Sequence, residues 1–235
     1  MRLYGDMSSR VMATLSSIIK DIEIYSIDEA FLDMRGWNLE QLHSIGQKIV
    51  RRVKQDTGIP TSLGIAPTKT LAKIASHFAK KYSGYKSVCI IDNNEKRIKA
   101  LELTPINDVW GIGRQLSKQF QKYGIYKAID FVNMPYDYIK RIVNINGQRT
   151  WRELNGEPCI DIETTCPDKK QICTSRSFSK EITEIDTLIN AVSSFSTIAS
   201  YENQTKKAVT NKFIGDAIAD FLRQQLEIYF IERSS

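Results

Sequence analysis

The chain has 235 residues, with 33 Lys and Arg against 27 Asp and Glu for a formal net charge of +6, and is 42% hydrophobic and 26% charged. This balance excludes wholesale disorder, and the length fits one large domain or two small ones at roughly 100–200 residues each. No apolar run approaches the ~18 residues of a membrane span, and Met1 to Asp6 lead into no signal-peptide apolar core, so a cytoplasmic protein with no membrane partner is expected.

In chain order, Val11, Leu15, Ile18 and Ile19 recur at helical spacing and predict an amphipathic helix from about Ser8 to Lys20. Glu23–Ile27 and Ala30–Asp33 read as two short strands with only Asp28-Glu29 between them, which predicts a tight hairpin. Asn38 opens the next helix with Gln41 at capping-box spacing; its apolar face is Leu42, Ile45, Ile49 and Val53, and Gly58-Ile59-Pro60 ends it. Thr61–Ile65 is a strand, Pro67 stands where a helix starts, Leu71, Ile74, Ala75 and Phe78 face inward, and Ser87–Ile91 is a further strand. The order αββαβαβ implies an α+β fold, a mixed sheet with helices packed on it. From Pro105 to about Pro158 only short helices are read, broken by Gly111, Gly113, Gly124, Pro135 and Gly147, and they imply a small helical domain. Asp161–Lys170 reads as a linker, Gln171–Phe178 as a strand, and Ile185 to about Ser200 as a helix.

Charge is unevenly placed. Between Gly58 and Ile91 the formal charges before Ile91 are all lysines (Lys69, Lys73, Lys80, Lys81, Lys86), whereas Asp21, Glu23, Asp28, Glu29, Asp33 and Glu40 crowd the segment before. Basic stretches around an acidic cluster suit a phosphate-rich ligand with cations, or are simply solvated helix faces. The cysteines at 89, 159, 166 and 173 lack the spacing of a zinc site and read as reduced structural thiols.

Asp28-Glu29 breaks the preference of two-residue hairpin loops for Asn-Gly or Asp-Gly, which supply positive φ. Two adjacent anions repel unless a divalent cation offsets them, and Mg²⁺ takes one or two protein carboxylates plus substrate phosphates. On spacing alone, an exposed acidic turn and a metal-binding tip both remain open.

Context narrows the choice. Tyr25-Ser26-Ile27-Asp28-Glu29-Ala30-Phe31-Leu32-Asp33 resembles the second catalytic motif of Y-family translesion DNA polymerases. The segments from Ser62 to Ala75 and Val109-Trp110-Gly111-Ile112-Gly113 resemble the same family's next palm segment and thumb hairpin. Leu3 to Ser8 and Ser175 to Phe178 are most similar to the UmuC-like subgroup of bacterial DNA polymerase V, and the likeness runs in order from about residue 3 to 195. The resemblance implies a partial palm at 1–105, a helical thumb with a helix-hairpin-helix at 106–160, a linker at 161–174 and a partial or divergent little finger at 175–235. It implies that Asp28 and Glu29 hold two Mg²⁺ ions for nucleotidyl transfer, and that Lys80, with Lys73, contacts the dNTP triphosphate. Trp110, Gly111, Ile112, Gly113 and Arg114 would hold primer–template DNA through backbone amides and a helix N-terminus, with Arg176 a further template contact. Implied partners are processed UmuD, the RecA filament and the sliding clamp, in a bacterial cytoplasm. Gly-x-Gly alone would equally be a tight turn.

The likeness has gaps. The family carries an earlier strand whose Asp bridges both metals, followed by a fingers domain; neither precedes Met1, and Asp6 sits in a helical Tyr4-Gly5-Asp6-Met7 motif. A truncated or frameshifted gene and impaired polymerase activity of this chain alone are the resulting expectations, with a non-catalytic DNA-binding or polymerase-accessory fragment as the alternative. Gln225–Phe230 faintly resembles a sliding-clamp peptide but equally reads as an apolar helix end.

Overall fold

The computed structural model describes residues 2–163, 171–174, 178, 182, 184–204 and 230–233, which fall into two compact units, Met1–Cys166 and Pro167–Ser235. The division lies inside the stretch read as a linker. Arg176 and residues 225–229 lie outside the described residues, so the template contact and most of the clamp-like peptide have no structural counterpart here.

In the first unit, helix α1 spans Arg2–Ser16, earlier at both ends than the apolar spacing indicates. An i,i+4 pair between Arg10 and Asp6 at 3.2 Å supports its early turns. At its end the Ile18 N–H turns back to the Leu15 carbonyl, and Ile19 is buried from the turn rather than from the helix. Strands β1 (Ile22–Ile24) and β2 (Ala30–Leu32) pair antiparallel with Ile24 opposite Ala30. Helix α2 (Leu39–Thr57) opens on the expected capping box: Gln41 N–H donates to Asn38 Oδ1 at 2.9 Å, and Asn38 N–H to Gln41 Oε1 at 3.0 Å. It closes at Gly58, whose φ of 74° is the left-handed region that glycine enters without strain.

Strands β3 (Leu63–Ile65) and β4 (Val88–Ile90) pair in parallel, joined by α3 (Lys69–Lys81), a βαβ crossover. Among the described residues the strands form three separate two-stranded sheets, not the single mixed sheet that the αββαβαβ order implies. The element order was legible; which strand edges hydrogen-bond was not, because three-residue strands carry too little pattern to choose a neighbour.

Helix α4 (Asn94–Leu103) has no counterpart in the sequence reading. Only Ala100 and Leu101 of its residues are buried, so its apolar periodicity is faint, although Asn93 caps it by accepting from Lys96 N–H at 2.9 Å. Short helices follow as expected: α5 (Arg114–Lys122), α6 (Ala128–Val132), α7 (Tyr136–Ile142) and α8 (Ile145–Leu154). Their Phe120, Phe131, Ile139 and Leu154 join Leu71, Ile74 and Phe78 of α3 in one continuous core. A smaller core sets Val11, Leu15 and Ile19 against Ile49, Val53 and Leu63.

In the second unit β5 (Gln171–Thr174) pairs antiparallel with β6 (Phe230–Arg233), and α9 spans Ile185–Gln204 with Val192 and Phe195 buried. No described helix is long and apolar enough to cross a membrane.

Candidate functional site

The β1–β2 hairpin is present, but its loop is the five residues Tyr25–Glu29 rather than Asp28-Glu29 alone. Tyr25 and Ser26 N–H both donate to the Glu29 carbonyl, at 3.0 and 3.1 Å, and the Ser26 hydroxyl donates to Asp28 Oδ1 at 2.7 Å. The longer loop removes the need for positive φ: among the described non-glycine residues only Lys86 and Ser87 adopt it. The acidic pair therefore sits at the tip without backbone strain, and both carboxylates are exposed.

Helix α3 faces this hairpin with two lysines one turn apart. The Lys69 ammonium donates to Glu23 Oε2 and to the Asp161 carbonyl, both at 2.6 Å, and stands 4.9 Å from the Phe31 ring centre. Lys73 lies 3.0 Å from Glu29 Oε1, over the rings of Tyr25 at 4.7 Å and Trp110 at 5.1 Å. The Trp110 indole N–H donates to the Tyr25 hydroxyl at 3.2 Å, and the two rings meet edge-on with centres 5.6 Å apart. Glu29, Lys73 and Trp110, picked out separately in the sequence, thus come together. Lys80 lies two turns further along α3 and is exposed.

At the start of α5, Gly111 has φ +87°, and a Cβ there would come within 2.6 Å of Thr150 Oγ1, so a tight turn needs glycine. Ile112 is buried, and Gly113 leads into α5 with no side-chain cap; Arg114 beside it is exposed. Uncapped amides at a helix start favour an anion.

Behind the hairpin lies a feature that sequence reasoning missed. Glu153 is fully buried; its Oε2 accepts from Thr70 N–H at 2.9 Å and the Thr70 hydroxyl at 3.0 Å, and its Oε1 from Cys159 and Ile160 N–H, each at 3.1 Å. The anion sits at the N-terminus of α3, where the helix dipole stabilises it. Glu163 N–H donates to Glu23 Oε2 at 2.7 Å, so the chain leaving α8 is stitched to the hairpin and α3. The bonds from Thr70 to Glu153 and from Glu163 to Glu23 span 83 and 140 residues, beyond any local signal. The helical spacing of Lys69 and Lys73 against Glu23 and Glu29 was the one available hint.

Elsewhere Arg35, hydrogen-bonded to Asp33, holds its carboxyl below the usual carboxylate range, while burial pushes the Cys89 and Cys159 thiols up. Among the described residues no three His, Cys, Asp or Glu side chains are grouped to hold a metal.

Residues 1–77 match the impB/mucB/samB family. The chain is 41% identical over 200 residues to the UmuC protein of Salmonella typhimurium, covering 84% of this chain and 47% of that protein. It is 33% identical over 199 residues to MucB of Escherichia coli (84% and 47%) and 34% over 143 residues to DNA polymerase IV of Saccharolobus solfataricus (60% and 39%). It thus spans about half the length of the curated relatives that it matches most fully. A Y-family DNA polymerase chimera shares its fold at a TM-score of 0.71 with 22% identity over 86% of this chain and 58% of that one; DinB of Sulfolobus solfataricus does so at 0.57, with the same identity and coverage. The chain is thus similar to the impB/mucB/samB family over residues 1–77 and to UmuC and MucB beyond them, and it shares the fold of the two polymerase structures.

Proposed function

We propose that this chain is the palm-and-thumb part of a translesion DNA polymerase, which holds primer–template DNA and carries two of the carboxylates used in nucleotidyl transfer. The observation that carries the reading is the Asp28-Glu29 tip, with Lys73 paired to Glu29 and Trp110 bonded to Tyr25 in the same loop, in a chain 41% identical to UmuC over 200 residues. Residues 1–105 act as palm, 106–160 as thumb with its helix-hairpin-helix turn, and 175–235 as part of a little finger.

Two exposed, adjacent carboxylates fit the protein's share of a Mg²⁺ site, since Mg²⁺ keeps substrate phosphates and water among its ligands. When bound, Mg²⁺ activates a primer 3′-hydroxyl and offsets charge on the leaving pyrophosphate. The protein's own part is to present Asp28 and Glu29 on a loop fixed by Ser26 and by the doubly accepting Glu29 carbonyl. Lys80, exposed on α3, takes the triphosphate of a dNTP as a point charge. The uncapped start of α5, with Arg114, takes a DNA phosphate without reading sequence. Processed UmuD, the RecA filament and the sliding clamp are the partners that likeness to the UmuC-like subgroup suggests.

A second reading, DNA binding without catalysis, is favoured by the absence of a third carboxylate beside the tip among the described residues. Primer extension separates the two. With Mg²⁺, dNTPs and a primed template, the polymerase reading expects slow addition that Asp28→Ala abolishes. Salt-sensitive DNA binding with no extension supports the second reading, and no DNA binding sinks both.

A further inference from the structure

We propose that Lys73 is a tethered counter-ion for the carboxylate tip, which holds Glu29 in place and competes with a divalent cation for it. The proposal rests on the reading of Glu29 as a metal ligand. The Lys73 ammonium lies 3.0 Å from one oxygen of Glu29 and 3.1 Å from the other, so it engages both oxygens of the carboxylate. It is caged from behind by Tyr25 and Trp110, whose faces attract a cation and whose mutual hydrogen bond fixes the cage.

The neighbouring turn of α3 supplies the comparison. Lys69 and Glu23 form the same kind of pair beside an aromatic ring, but their side chains are only 7% and 13% exposed, against 22% and 44% for Lys73 and Glu29. Separating the inner pair would leave a buried charge without a partner, so that pair is a permanent fastening. The outer pair is open to water, where an ion pair is held weakly and a doubly charged ion outcompetes an ammonium. The aromatic cage retains Lys73 close to Glu29 when the carboxylate changes partner. Lys73 is therefore a positioning residue: it keeps the tip neutralised and shaped until a cation arrives, at the cost of weaker cation affinity.

The test uses the full chain without DNA or nucleotide and reads free Mn²⁺ by electron paramagnetic resonance. Glu29→Gln should lose the binding seen in the wild type. Lys73→Met should bind Mn²⁺ about tenfold more tightly, as removal of a competing, cage-held ammonium requires. Lys48→Met, an exposed charge of α2, should match the wild type. Equal or weaker binding by Lys73→Met overturns the counter-ion while leaving the metal reading intact. Mn²⁺ binding that ignores Glu29→Gln, or is missing from every chain, overturns the metal reading and the competition with it. Circular dichroism and a cooperative melt establish that each variant folds; if Lys73→Met does not, Lys73→Gln replaces it with the same expectation.

Discussion

Single side chains in this protein differ sharply in what they hold. Glu153 satisfies four donors from two other segments in a fully buried position, so its loss strands backbone amides that have no water to turn to. Glu153→Ala is expected to destabilise the first unit by about 3–5 kcal/mol, read as a lower denaturant midpoint, and Glu153→Gln by less because it keeps one acceptor oxygen, while its NH2 leaves the other two donors without an acceptor. Asp33 belongs to a different class, a half-buried carboxylate whose partner Arg35 is 81% exposed. Because its folded pKa is lowered, its stabilisation is present above the ordinary value of about 3.9 and is lost as pH falls through the folded value. Asp33→Asn should thus lower Tm slightly at pH 7, and the gap to wild type should close as pH falls below the ordinary carboxylate range. Asp28 and Glu29 were legible in the sequence because chemistry compressed them into one dipeptide. Glu153 was not, because its role exists only once residues 70, 153 and 159–160 have met.

Among the elements, α3 organises the rest: its first turn receives Glu153, its first two lysines face the hairpin, and its apolar face fills the larger core. Its seat on β3 depends on Gly64, where a Cβ would come within 2.0 Å of the Ala72 carbonyl oxygen and 2.2 Å of Ser76 N. Those are backbone atoms, so the helix itself would have to move. Gly64→Ala is expected to cost about 3 kcal/mol, measured by chemical denaturation, and to weaken any Glu29-dependent cation binding because Lys73 moves with α3. Element identity was readable where a local rule acts alone, as in the Asn38–Gln41 capping box and the face of Leu71, Ile74, Ala75 and Phe78. It failed for α4, whose polar sequence hides a helix capped by Asn93, and for the hairpin loop, whose length is set by a carbonyl accepting two amides.

For the whole molecule, +6 is a statement about association more than about fold. If Arg114 meets a DNA phosphate, Arg114→Gln should weaken duplex binding evenly across sequences and reduce the slope of log K against log salt concentration by about one, by fluorescence anisotropy over a salt series. An unchanged slope would move the DNA contact away from the start of α5. The family likeness was legible because its motifs are short and ordered along the chain; the joining of α3 to the helical segment in a single core was not, because nothing local in Phe120, Phe131 or Leu154 names its partner.

The stitching of residues 159–163 has a mechanical consequence. The polypeptide leaves the first unit past Glu163, whose amide is fastened to Glu23, just after Asp161, whose carbonyl is fastened to Lys69. A pull on the chain beyond that point loads the first strand of the hairpin and the first turn of α3 before it reaches the core around Phe120. Tension there would be felt first where Glu23 meets Lys69, which makes the tail of the first unit an anchored strap rather than a slack tether.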